Sequence, residues 1–140
     1  MKQPNATPRL LWIDCLGGLF VGVLTLILYR WLASIHNLSP MLLLFTAAAN
    51  LGYGCYSLFL ATRGKRPLAL VNVLAVANMI WAPITLVLIA ANWTEISWLG
   101  VVHLGGEGLY VGALGLVEWW RRDQLATDGG PNAIIPPASR

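Results

Sequence analysis

Charge is scarce in this sequence. Only 11% of its 140 residues are Asp, Glu, Lys or Arg, against roughly 25% in soluble domains. With 57% hydrophobic residues and a mean hydropathy of +0.66, the chain has too little polar surface to coat a globule in water. That argues against a soluble fold and makes lipid the expected solvent. The net charge of +3 is small and clustered. There is no basic face interleaved with aromatics, so no nucleic-acid partner is expected. Cysteine is scarce as well: Cys15 and Cys55 lie in apolar stretches without a CxxC or a metal-ligand spacing. Each reads as a small buried apolar residue.

Several kinds of chemistry are missing too. No Ser/His/Asp set or phosphate loop is present, since Gly105-Gly106-Glu107-Gly108 falls inside an apolar run and not after a strand. His103 lies within such a run, whereas His36 is expected in a loop, so one chain cannot supply a bis-His haem pair. No catalytic residue, metal or cofactor is expected. The chain is read as a non-enzyme, small enough to serve as the membrane subunit of one.

What is abundant is long hydrophobic runs. Four of them, at 10–33, 41–61, 68–91 and 96–119, are each long enough for a hydrocarbon core of ~30 Å. In lipid every backbone group must be satisfied within its own segment, so the runs are expected to be helices. The fold class that follows is all-α: an integral membrane four-helix transmembrane bundle with antiparallel neighbours. Ser39-Pro40 reads as a helix start, and Asn92-Trp93-Thr94-Glu95 has the spacing of a capping box. Pro83 interrupts the third run and should kink it. Residues 1–9 and 121–140 read as polar tails, the second of them disordered.

Basic residues set the orientation. Lys2, Arg9, Arg63, Lys65, Arg66, Arg121, Arg122 and Arg140 fall on one side, and only Arg30 on the other. The positive-inside rule then makes both termini cytoplasmic, in a bacterial inner (plasma) membrane. Trp12, Trp119 and Trp120 would mark the inner interface, and Trp31, Trp93 and Trp98 the outer one.

The fourth run carries His103 and Glu107 near its middle. A charge at that depth costs about 2.5–3.5 kcal/mol on insertion scales, so something must offset it. At 100° per residue each run carries a polar stripe. The stripes are Asp14, Gly18, Thr25, Tyr29; then Thr46, Asn50, Tyr53, Ser57; then Asn78, Trp81, Thr85, Asn92; and finally His103, Glu107, Tyr110, Glu118. Four stripes in four helices predict one shared polar interior, with Asn50 and Asn78 flanking Glu107 at mid-depth. Gly18-x-x-x-Gly22 and Gly108-x-x-x-Gly112 are close-packing pairs, within one chain or between two copies.

Burial disfavours a bare carboxylate, and a nearby imidazole can share its proton. The sequence therefore points to a proton-linked small-solute binding or transport module. Glu107 is the protonatable centre and His103 its partner. Asn50, Asn78, Trp81 and Tyr110 are the candidate lining, with Asp14 secondary. Asp14 is otherwise explained by the helix dipole, and Glu118 by pairing with Arg121 or Arg122. The competing reading is a non-catalytic structural or assembly subunit whose polar interior only sets helix packing. Side-chain hydrogen bonds in membranes average only ~0.6 kcal/mol, less than the insertion cost of the carboxyl. The expected partners are the lipid bilayer, a second copy or a larger membrane complex, and a small-molecule ligand. In size and span number the chain is similar to small four-helix bacterial membrane proteins such as the small multidrug transporters. Those carry their key Glu in the first span and this chain in the fourth, so no residue role is carried across.

Overall fold

A computed structural model describes residues 7–127. The readings made above for Lys2, Arg140 and the outer parts of both tails lie outside the described residues. Within them the chain forms four helices: α1 (Thr7–His36), α2 (Pro40–Thr62), α3 (Leu68–Ala91) and α4 (Trp98–Leu125). All four are long and apolar enough to cross a membrane. The shortest has 23 residues, about 35 Å at 1.5 Å per residue, which exceeds a hydrocarbon core of ~30 Å. The chain is a small, all-α, multi-pass membrane protein.

Local chemistry sets most helix ends. Ser39 Oγ accepts from the Leu42 amide at 3.2 Å, with Pro40 at the first position of α2. Asn37 adopts a left-handed conformation (φ 51°), and the Leu38 amide donates back to the Ala33 carbonyl at 3.1 Å. That 6→1 bond closes α1, and Asn is one of the few residues that take this conformation cheaply.

The start of α4 departs from the predicted capping box. Ser97, not Asn92, is the cap, its Oγ accepting from the Gly100 amide at 3.2 Å. Asn92 instead finishes α3 and donates to the Leu88 carbonyl at 2.8 Å. The reason is tertiary. Ser97 donates from Oγ to the Ile35 carbonyl (2.7 Å) and from its amide to the His36 carbonyl (2.8 Å), so docking on the end of α1 fixes where α4 begins.

Two helices run further than expected. α1 starts at Thr7, before the predicted 10, and α4 continues through 121–125 to Leu125, a stretch read from sequence as tail. Past it, Thr127 and Arg66 exchange backbone hydrogen bonds (3.0 and 3.3 Å), tying the end of α4 to the α2–α3 connection. α3 is one continuous helix through Pro83, whose ring faces outward.

The bundle is two tight hairpins, α1–α2 and α3–α4, meeting along a looser seam. Small residues weld each hairpin. A methyl group at Gly54 would stand 2.7 Å from the Leu19 amide nitrogen, and one at Gly115 2.8 Å from both the Ala75 carbonyl and the Met79 amide. Gly18 faces Gly54, and Gly108 lies directly against Thr85. Both small-xxx-small pairs are thus used inside the chain, and a second copy would have to dock through other faces.

The interior has apolar ends and a polar middle. Leu11, Leu60, Val71, Leu74 and Leu125 form one cluster at the α2–α3 end, and Ala33, Leu38, Leu43, Ile89 and Leu104 another at the opposite end. Phe20, Ile27, Met41, Leu86, Val87 and Leu109 point outward, as a lipid-facing surface requires. Trp12 and Trp120 are exposed near one end and Trp31, Trp93 and Trp98 near the other, the arrangement of two interfacial belts. Arg122 stacks over the Trp119 ring at 4.2 Å. Cys15 is buried, but Cys55 is exposed among the outward-facing residues.

Candidate proton and ligand site

Glu107 points into the bundle, its side chain only 7% exposed. Oε1 accepts two hydrogen bonds at 2.8 Å, one from Asn50 Nδ2 on α2 and one from Trp81 Nε1 on α3. Neither donor is ambiguous. An indole nitrogen can only donate, and Asn50 Nδ2 also bonds the Thr46 carbonyl at 3.0 Å, which can only accept. Oε1 is therefore fixed as an acceptor. Oε2 faces His103 Nε2 at 3.7 Å, one turn away on the same helix.

His103 is a quarter exposed (26%), and its ring lies 4.9 Å from that of His36. His36 is not in a loop. It is the last residue of α1, buried, with Nδ1 lacking a protein partner. Three titratable side chains thus follow one another from Glu107 toward the α1–α2 end. The sequence reading missed His36 because α1 outruns its hydrophobic core by a turn, and an apolar run alone does not reveal that.

A cavity of about 320 Å³ lies beside Glu107. Its walls include Asp14, Gly17, Asn50, Tyr53, His103 and Gly106, with contributions from all four helices. Space exists because side chains are missing: Gly106 has nothing within 4 Å of where a Cβ would stand. Tyr110 is half exposed and reaches across to α1, its hydroxyl 3.4 Å from the Cβ position of Gly17.

Two of the predicted lining residues sit elsewhere in role. Trp81 is buried but is not a cavity wall; its ring packs edge-on against Tyr53 at 5.8 Å. Asn78 does line the cavity but makes no hydrogen bond to Glu107. Its Nδ2 donates to Glu118 Oε2 at 2.9 Å and to Asp14 Oδ1 at 3.3 Å. Glu118 is fully buried and pairs with neither Arg121 nor Arg122 among the described residues, and Asp14 is 5% exposed. The longer helices explain both corrections. Asp14 lies two turns into α1, beyond the reach of first-turn dipole effects, and Glu118 two turns before the end of α4. The signal was available: Glu107 and Glu118 are eleven residues apart, close to three helical turns.

The polar interior is therefore two acidic layers, Glu107 with Asn50 and Trp81, and Asp14 with Asn78 and Glu118, joined by one cavity. No family model matches this chain, and no curated protein or solved structure is detectably similar to it, so its function must be read from this geometry.

Proposed function

We propose that the protein is a proton-linked module for binding or transporting small solutes across the membrane, with Glu107 as its protonatable centre and His103 as the partner. The observation that carries this reading is the asymmetry of the Glu107 carboxyl. Two fixed donors occupy Oε1, so a proton has only Oε2 to bind, the oxygen turned toward His103. The 3.7 Å separation needs to shorten by about half an ångström for a direct hydrogen bond. One proton shared by the two groups leaves the pair uncharged in either arrangement, as acid with neutral imidazole or as carboxylate with imidazolium. That neutrality lowers the cost of holding the pair in an apolar medium.

A monovalent organic cation entering the cavity can replace the shared proton and keep the site neutral, so cationic solutes are the class this chemistry favours. The test is proton release from weakly buffered, purified protein on addition of tetraethylammonium, read with a pH indicator. Wild type is expected to release protons and Glu107→Gln, which keeps the hydrogen-bonding shape, is expected to release none. Release persisting in the Gln variant ends this reading.

The structural or assembly subunit remains the second reading, favoured by the interhelical bonds that Asn50, Asn78 and Trp81 make. Under it Gln behaves like wild type, and only Glu107→Leu weakens assembly.

A further inference from the structure

The Asp14–Asn78–Glu118 layer has a property that helix packing alone does not explain. Two carboxyl groups, 5% and 0% exposed, are bridged by a single amide nitrogen. Among the described residues, neither has a Lys, Arg or His nitrogen within ion-pairing distance. Ser57 lies beside Asp14, but its one hydroxyl hydrogen is directed at the Leu11 carbonyl at 2.9 Å, and it brings no charge. Asn78 contributes no charge and is itself fully buried, yet its Oδ1 has no protein donor. Asp14 Oδ2 and Glu118 Oε1 have none either. Three buried oxygens gathered around one amide are acceptors in want of a hydrogen.

Two bare carboxylates this close, out of water, repel each other and lose their hydration, so at least one must be neutralised. The other groups facing the pair supply no positive charge. α4 brings Tyr110 and α1 brings Cys15 beside Asp14, while α2 and α3 contribute Ser57 and Asn78, which do not titrate.

We propose that Asp14 and Glu118 share one bound proton through Asn78, forming a second proton site distinct from Glu107. The proton, taken from solvent, sits on Asp14 Oδ2 or Glu118 Oε1 and points its O–H at Asn78 Oδ1 or the facing carboxylate. The net charge of the pair falls from −2 to −1, and the remaining carboxylate keeps its bond from Asn78 Nδ2. Glu107 and Glu118 are eleven residues apart, about 16 Å along α4, so the two sites are separate. Asp14 and Asn78 line the same cavity as Glu107, which places an acidic group toward each end of it.

The experiment is infrared difference spectroscopy of the full chain in lipid nanodiscs, reading the C=O stretch of protonated carboxylic acids. At neutral pH Glu107→Gln is expected to retain a band worth one carboxylic acid per chain. Adding Asp14→Asn and Glu118→Gln to that background is expected to remove it. If that triple variant does not fold, Asp14→Asn with Glu107→Gln decides, because the band must move when the partner carboxyl becomes an amide. No band in Glu107→Gln, an unchanged band in the triple variant or an unmoved band in the double variant would each overturn the proposal. So would loss of the band on adding sodium at constant pH, since the ligand would then be an alkali cation. All arms use the Glu107→Gln background, so the outcome is independent of the role given to Glu107.

Discussion

Trp81 shows how one side chain can serve two requirements at once. Its ring fills the space beside Tyr53, and its indole N–H fixes which oxygen of Glu107 is left for a proton. Trp81→Phe keeps most of the ring and removes the donor. Side-chain bonds in membranes reach at most about 1.7 kcal/mol, whereas bonds to charged groups in water-soluble proteins run ~1.5–3. A loss of about 1–2 kcal/mol is therefore expected, measured by equilibrium unfolding in mixed detergent–lipid micelles. A loss below about 0.5 kcal/mol, the level of an ordinary surface change, would mean that the indole bond to Oε1 contributes little. At this scale the sequence was informative about which residues turn inward, because a polar residue in a hydrophobic run has nowhere else to go. It was poor at pairing them. Asn78 reads as a neighbour of Glu107 when depth is counted from the ends of apolar runs, but helices do not end where hydrophobicity does. Each helix overrun displaces a partner by about one turn, enough to exchange one carboxyl for another.

Helices were the most legible level. Length and composition alone identify four spans, and α2 and α3 begin and end within a residue of where their hydrophobicity does. The two ends of α4 were not legible, because contacts distant in sequence hold them: Ser97 with Ile35 and His36, and Thr127 with Arg66. This gives a direct comparison. Ser97→Ala removes a cap and an interhelical bond together and is expected to cost about 1–2 kcal/mol. Glu95→Ala, at the exposed position that the predicted capping box would have used, should stay within about 0.5 kcal/mol. Equal costs in thermal unfolding would count against Ser97 as the cap. The hairpin welds predict a second contrast. Gly54→Ala must push against the Leu19 backbone, at about 1–3 kcal/mol. Gly52→Ala meets nothing within 4 Å and should gain about 0.5–1 kcal/mol from helix propensity. If both substitutions shift the unfolding midpoint alike, α1 and α2 are not in the close contact described.

For the whole molecule, orientation is the property that the residues constrain and the fold leaves to experiment. Arg63, Lys65, Arg121 and Arg122 cluster at the end that carries the α2–α3 connection. By the positive-inside rule that end is expected on the cytoplasmic side. With Cys15 and Cys55 replaced by Ala, Lys65→Cys should react with a membrane-impermeant maleimide only after cells are opened, and Glu95→Cys in intact cells. The reverse pattern would invert the expected topology, and the His36–His103–Glu107 row would then lead from mid-depth toward the cytoplasm.

The two-hairpin construction bears on movement. The halves are joined covalently only through residues 63–67, and the Arg66–Thr127 pairing holds that link against the far end of α4. The cavity straddles the seam, so whatever occupies it touches both halves and influences how they sit against each other. A rocking of one half on the other, pivoting at that clasp, would leave the glycine-welded contacts undisturbed. It would instead be resisted by the few polar bridges that cross the seam, among them Asn50–Glu107 and Asn78–Asp14. The acidic groups proposed to bind protons would then also be the latches, and adding or removing a single hydrogen ion would change how firmly the molecule is shut.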